Sequence, residues 1–309
     1  MKISVVIATK NREALLAETL DALSAQQWPR DRVEILVADN GSTDNTRAVV
    51  DRAAARPSAP RIVYRYVGTP GKSFAVNALL GEADGDILAL TDDDVCPEPD
   101  WLQALAAAFE DRAVDFVAGR ILPRWEADPP SWLSSALYGV LAIPDNGERR
   151  LSISPDGEGR DIIPVGANMA VRASVVRRLG GLRHDLGKLS GTLRTGEDHE
   201  FFLRMTGAGL RGVYEPLALV RHFVPRERLE RSYFRRWLYQ NGQDVAHLQA
   251  THRDTARRLL GVPRYLWRQA AEDAVAMVKA GVAGDRRRRF AASTRLIWFS
   301  GYIRDSWCA

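Results

Sequence analysis

A chain of 309 residues that is 46% hydrophobic and 27% charged, with 24 Gly and 15 Pro, has the balance of a folded protein and excludes a disordered or fibrous one. Its length fits one large domain or two small ones, because single cores stop growing at roughly 250 to 300 residues. The net charge of +4 hides an asymmetry: residues 1–220 balance to −6 and residues 221–309 to +10, which excludes a uniformly basic nucleic-acid binder, so no nucleic-acid partner is expected.

Ile3 to Ala8 is a β-branched run ending at Thr9, and Leu15, Leu16, Leu20 and Leu23 follow at helical spacing, which reads as strand, loop, helix. The unit repeats. Val33 to Ala38 closes on Asp39-Asn40-Gly41-Ser42, and a helix begins near Thr43 with Asp44 in its first turn. Ile62 to Val67 leads through Gly68-Thr69-Pro70-Gly71-Lys72-Ser73 into a helix from about Phe74 to Ala83, and Asp86 to Thr91 stops at three aspartates. Strands alternating with helices over about 95 residues predict a parallel α/β sheet. Ligands of such sheets collect beyond the carboxyl ends of the strands, where this sequence has polar loops.

The section from Pro97 to Val224 reads as mixed. The pattern predicts a helix over Asp100–Phe109, strands over Phe116–Arg120 and Ile162–Met169, a helix over Glu197–Thr206 and a strand over Gly212–His222. Pro123 to Trp132 reads as irregular, Pro144 to Asp161 as a loop, and Gly180 to Gly196 as a flexible candidate lid. Residues 226–309 read as mostly helical. There Leu296, Phe299, Ile303 and Trp307 recur at spacings of three and four, with Trp298 and Tyr302 beside them and Arg286-Arg287-Arg288-Arg289 upstream. Two readings of this tail stay open: a helix lying on anionic lipid, or helices that cover the core or form a dimer.

No uncharged run reaches the roughly 18 to 20 residues of a spanning helix, and the longest, from Ser131, is cut by Pro144 before Asp145. Ile3 to Ala8 has Lys10 and Arg12 behind it, the reverse of a secretory signal. Cys96 and Cys308 make neither a disulfide framework nor a zinc pattern. The expectation is a cytoplasmic protein, with peripheral contact at the inner membrane face as the alternative the tail leaves open.

Three adjacent carboxylates, Asp92-Asp93-Asp94, repel one another in a low-dielectric cleft unless a cation or donors compensate them. A divalent ion such as Mg²⁺ or Mn²⁺, bound together with substrate phosphates, answers that need; a solvated acidic turn is the simpler alternative. Glu197-Asp198, before a helix and after a glycine-rich loop, suits a general base or merely complements the helix dipole. His222, after a strand, offers an imidazole nitrogen or is simply packed.

In order, Val5-Val6-Ile7-Ala8-Thr9-Lys10-Asn11-Arg12, Ile35 to Asp44, Asp92-Asp93-Asp94 and Gly196-Glu197-Asp198 resemble the family 2 glycosyltransferases with the GT-A fold. The resemblance spans about residues 1–225. It implies a Rossmann-like α/β fold, with a mixed, mainly parallel sheet flanked by helices and followed by a helical extension. Residues 1–94 would be the nucleotide-binding half, 95–225 the acceptor half and 226–309 the basic extension. On the same resemblance Thr9, Asn11, Arg12 and Asp39 look like base and ribose contacts, and Lys72 like a further nucleotide contact. Asp92 and Asp93 would address the ribose and phosphates, Asp94 the metal, with His222 completing the metal site. Asp198 is similar to the catalytic base, and Glu197 stands beside it as an acceptor or structural partner.

The implied reaction is a single inverting displacement, moving one sugar from a UDP-, GDP- or dTDP-sugar to a hydroxyl of a glycan or lipid-linked acceptor in bacterial-type polysaccharide or glycoconjugate assembly. The family often has Pro at Ala8, Tyr at Lys10 and Asp at Asn40, and its processive synthases carry Gln-x-x-Arg-Trp where this chain has Tyr233 before Arg236-Trp237. Single-sugar transfer is therefore the expectation. A dehydrogenase would need G-x-G-x-x-G after the first strand, where Thr9 to Ala14 has no glycine. A sugar-nucleotide pyrophosphorylase and a non-catalytic nucleotide-sugar-binding protein are the remaining alternatives.

Overall fold

The computed structural model of the chain describes residues 1–187, 193, 195–251 and 256–308. It forms two compact units, one made of 1–124, 142–190 and 197–223, the other of 125–141, 191–196 and 224–309.

In chain order the first unit contains β1 (Ile3–Thr9), α1 (Glu13–Ser24), β2 (Val33–Asp39), α2 (Thr46–Ala54), β3 (Arg61–Tyr66), α3 (Lys72–Glu82), β4 (Ile87–Asp92) and β5 (Val95–Pro97). It continues with α4 (Trp101–Ala108), β6 (Phe116–Trp125), β7 (Leu151–Ile153), β8 (Asn168–Arg172), α5 (Ala173–Leu179), α6 (Glu197–Gly207) and β9 (Gly212–Val224). Among the described residues nine strands form one sheet in the order β3-β2-β1-β4-β8-β6-β9-β5, with β7 on β9. β3, β2, β1 and β4 run parallel, and β8 turns the sheet antiparallel beside β4. The α/β class and flanking helices are as the sequence predicts.

Helices cover both faces of the parallel strands, which is why β2 is buried along its whole length and reads as a continuous apolar run. On one face Val6, Leu36, Leu90, Met169, Phe201 and Tyr214 belong to one core cluster. The exception inside β2 is Glu34, fully buried at the amino end of the strand. It accepts from Ser4 Oγ at 2.6 Å and the Asp84 N–H at 3.0 Å, and pairs with Arg61. A buried carboxylate so completely bonded ties strands together at the end opposite their carboxyl ends.

One strand lies elsewhere than expected. Residues 162–165 carry no regular structure, 166–167 form a turn, and β8 begins only at Asn168. Pro164 lacks an N–H for a ladder, and the Asn168 N–H closes a turn on the Val165 carbonyl at 2.8 Å. β6 conversely runs on to Trp125, into the stretch read as irregular.

The second unit contains α7 (Arg231–Thr251), a hairpin of β10 (Arg258–Leu259) and β11 (Val262–Pro263), α8 (Arg264–Val282) and α9 (Arg286–Cys308). Ala246, Val262, Leu266 and Tyr302 form its core, with Trp298, Phe299 and Ile303 packed against them. Most of the aromatic face of α9 therefore lies inside the unit, and among its large apolar side chains Trp307 is the exposed one, at 59%. No described helix is long and apolar enough to cross a membrane.

Candidate active site

Parallel strands end level with one another, and here the register sets Thr9 beside Asp39 and Ala8 beside Asp92. Their side chains gather at the carboxyl edge of the sheet, where open α/β sheets bind ligands. His222 arrives from the antiparallel side. β5 pairs with β9 so that Val95 faces His222, and the Phe223 N–H donates to the Asp94 carbonyl at 2.9 Å.

The three aspartates diverge in their partners. Asp93 accepts from Thr9 Oγ1 at 2.7 Å and Arg12 Nη1 at 2.8 Å, while Arg12 Nη1 also reaches Asp94 Oδ2 at 2.8 Å. Burial pushes the Asp93 carboxyl up, the Arg12 charge opposes this and the Asp94 charge adds to it. Burial acts to lower the Arg12 pKa, but Asp93 and Asp94 outweigh it, so the guanidinium is held firmly charged. Asp92 binds Lys72 Nζ at 2.6 Å. Burial disfavours the Lys72 ammonium, yet Asp92, then Asp198 and Glu197, raise its pKa above the usual value.

Asp92, Asp94 and His222 bring one ligand atom each within 4.8 Å of one another. His222 Nε2 lies 3.2 Å from Asp94 Oδ1, and both side chains are buried. The other ring nitrogen, Nδ1, has no hydrogen-bond partner among the described residues, so no protein bond there fixes the tautomer. Two hard carboxylates and an imidazole are a donor set that Mg²⁺ or Mn²⁺ accepts.

Asp198 lies in the first turn of α6, and its Oδ2 accepts from the Gly166 N–H at 2.8 Å. A Cβ at Gly166 would stand 2.8 Å from Asp198 Oδ1, so a larger residue here would push that carboxylate from its place. Glu197 is buried beside it.

Asn11 and Asp39 belong to a neighbouring group. The Asn11 Oδ1 accepts from the Thr43 N–H at 2.7 Å, and its own N–H donates to Ser42 Oγ at 2.9 Å, joining the loops after β1 and β2. Asp39 accepts from the Ser42 N–H and from Tyr64 Oη, each at 2.8 Å. Asn40 donates to the Val67 and Thr69 carbonyls and accepts from the Gly71 N–H at 2.8 Å, pinning the loop that ends at Lys72. A carboxylate at position 40 could not donate those two bonds.

The structure thus links Thr9, Arg12, Asp92, Asp93, Asp94, Lys72 and His222 by direct bonds or short approaches. It sets Asp198 near enough to Lys72 to act on its charge, and joins Asn11 and Asp39 to the adjoining loop. Sequence reasoning missed Tyr64, Gly166 and the bridging role of Asn40. Tyr64 was hidden in an ordinary strand pattern, and Gly166 in what reads as a strand. Within the candidate lid, residues 188–192 and 194 lie outside the described residues. The part before them is anchored on α3: Asn77 bonds both the N–H and the carbonyl of Leu182, and His184 stacks on Phe74 at 3.9 Å.

A parallel half-sheet continued by antiparallel strands, with carboxylates and a histidine gathered at the strand ends, is the architecture of a GT-A fold. The chain belongs to glycosyl transferase family 2, whose profile matches residues 4–179, more than half of its length. The succinoglycan biosynthesis protein ExoM of Rhizobium meliloti (strain 1021) is 30% identical over 306 residues, covering 94% of this chain and 89% of ExoM. Among solved structures, the mannosyltransferase PcManGT of Pyrobaculum calidifontis, in complex with GDP-Man and Mn²⁺, matches 99% of this chain and 87% of its own with a TM-score of 0.69 at 22% identity. S. aureus TarS 1-349 in complex with UDP matches 96% and 90% with a TM-score of 0.56 at 16% identity.

Proposed function

We propose that this glycosyltransferase moves one sugar from a nucleotide-sugar donor to a hydroxyl of a glycan or lipid-linked acceptor, inverting the anomeric carbon, in polysaccharide or glycoconjugate assembly. The observation that carries the reading is the convergence of Asp92, Asp94 and His222 ligand atoms within 4.8 Å at the ends of the parallel strands. These residues would hold Mg²⁺ or Mn²⁺, and such an ion, when bound, neutralises charge on a departing diphosphate. A Mn²⁺ and GDP-Man complex of PcManGT, a UDP complex of TarS and the succinoglycan role in the name of ExoM support donor class and setting.

Asp198 takes the proton from the acceptor hydroxyl as general base, oriented by the Gly166 N–H and by its place in the first turn of α6. Lys72, kept protonated by the carboxylates around it, holds Asp92 and adds positive charge on the donor side. Thr9, Asn11, Arg12 and Asp39 line the nucleotide side, with Asp93 acting through its bonds to Thr9 and Arg12.

The test compares two variants with the wild type for nucleotide-sugar binding and for transfer. Asp198→Asn is expected to keep metal-dependent binding and to lose transfer by about 10²- to 10⁴-fold, the usual worth of a general base. Asp94→Ala is expected to lose the metal dependence of binding. Full transfer by Asp198→Asn would assign the base elsewhere.

A further inference from the structure

The hairpin that precedes α8 carries features that its own folding does not require. Leu259 and Leu260 at its tip are 50% and 67% exposed. Leu260 has φ +50° and Gly261 φ +76°, the type I′ pattern, in which a first-position leucine is disfavoured and asparagine or glycine is preferred. An exposed leucine in a backbone conformation that resists it contributes little to the fold, so a role outside the fold is needed to explain it.

The carbonyls of the tip are also held by side chains. The Leu259 carbonyl accepts from Trp267 Nε1 at 3.1 Å, the Leu260 carbonyl from Trp307 Nε1 at 2.8 Å, and the Gly261 carbonyl from Arg258 Nη1 at 3.0 Å. Three successive carbonyls of the hairpin tip thus accept side-chain donors from the same unit. Bonding these carbonyls from within lowers the cost of moving the tip toward an apolar medium. Trp307 is 59% exposed and Tyr265 41%, aromatic content typical of a bilayer interface.

Charge decides the partner. Arg257, Arg258, Arg264 and Arg268 are exposed, and no Asp or Glu occurs from residue 256 to 271. Leucines at a tip ringed by arginines and interfacial aromatics match an anionic phospholipid surface, with the apolar tip among acyl chains and the guanidinium groups among phosphates.

We propose that the β10–β11 hairpin, with Trp307 and the flanking arginines, is a membrane-docking tip for anionic bilayers. This places the contact away from Arg286–Arg289, which follow the far end of α8, about 28 Å along a 19-residue helix. It also differs from the α9 face bearing Phe299 and Ile303, which packs against the unit's core. The proposal stands on the second unit alone and is independent of the sugar-transfer reading.

The experiment is flotation of the full-length protein with phosphatidylcholine vesicles, with and without phosphatidylglycerol, at low and high salt. The wild type is expected to float with the anionic vesicles, to be released by salt, and to show a blue shift of tryptophan emission. Leu259→Ser/Leu260→Asn suits the turn backbone, so it is expected to keep its Tm and its nucleotide-induced thermal shift while partition falls on the order of tenfold or more. Replacing Arg257 and Arg264 by Gln is expected to lower partition roughly fivefold per residue. No binding by the wild type, or unchanged binding by the leucine variant, overturns the proposal. So does binding that is lost only when Arg286–Arg289 are replaced, or a dimer that depends on the same leucines without vesicle binding.

Discussion

The carboxylates of this chain show how little a residue type says without its neighbours. Glu34 and Asp39 lie second and last in the same strand, yet Glu34 is closed off by Ser4, Arg61 and a backbone N–H, whereas Asp39 leans on a tyrosine and a loop amide at the strand's carboxyl end. Asp92, Asp93 and Asp94 are consecutive, but only the first and third reach the histidine cluster; Asp93 is spent on Thr9 and Arg12. The Tyr64–Asp39 contact gives a titration that can be followed directly. Burial, and then the bond to Asp39, push the Tyr64 phenol up to about 12, against an ordinary value near 10. Because burial and this bond favour the neutral phenol, the fold keeps its full stability below the unfolded value and loses part of it as pH rises from about 10 through about 12. In a pH-jump absorbance titration, Tyr64→Phe is expected to remove one late-ionising tyrosine and leave Tyr214, which burial also raises to about 12. An unchanged late phase in that variant would contradict the assignment.

At the scale of elements, the strands of the parallel half are legible because β-branched runs alternate with helical spacing, and a strand buried on both faces needs nothing more local than that. The segment before β8 is misread because Ile162, Ile163 and Val165 look like a strand while Pro164 and Gly166 deny it a ladder; the turn they form aims an N–H at Asp198. In the second unit, α7 and α9 meet backbone to backbone through two glycines. A Cβ at Gly242 would run into the Trp298 carbonyl, and one at Gly301 into the Tyr239 carbonyl. Each glycine is a poor helix former whose value lies in this approach. Gly242→Ala and Gly301→Ala are therefore each expected to cost about 1 to 3 kcal/mol by overpacking, despite the better helix propensity of alanine. Thermal unfolding of the two variants checks this, and a rise in Tm would mean that the helices do not pack this closely.

At the scale of the molecule, an acidic body and a basic tail divide the chain as its two units do in broad outline, and the site described lies wholly in the first unit. A native-state ligand at a hundred times its Kd adds about 2.7 kcal/mol of stability. We expect one nucleotide among UDP, GDP, dTDP and CDP to raise Tm by several degrees with Mn²⁺ or Mg²⁺ and not after chelation; a shift indifferent to chelation would detach the metal cluster from donor binding. Sequence alone determined the fold class, because hydrophobic periodicity reports local geometry, and it picked out the aspartates, because adjacent carboxylates need compensation wherever they fold. From residue patterns alone it could not join His222 to the aspartates across more than a hundred residues; the family resemblance paired it with Asp94, but that Asp92 and not Asp93 lies with them is set by strand register and side-chain direction, through pairing between distant segments. Nor could it show that the aromatic face of α9 turns inward while two leucines at a hairpin tip turn outward. Burial is a property of the packed chain, and only the tertiary structure decides which apolar side chains are left for a partner.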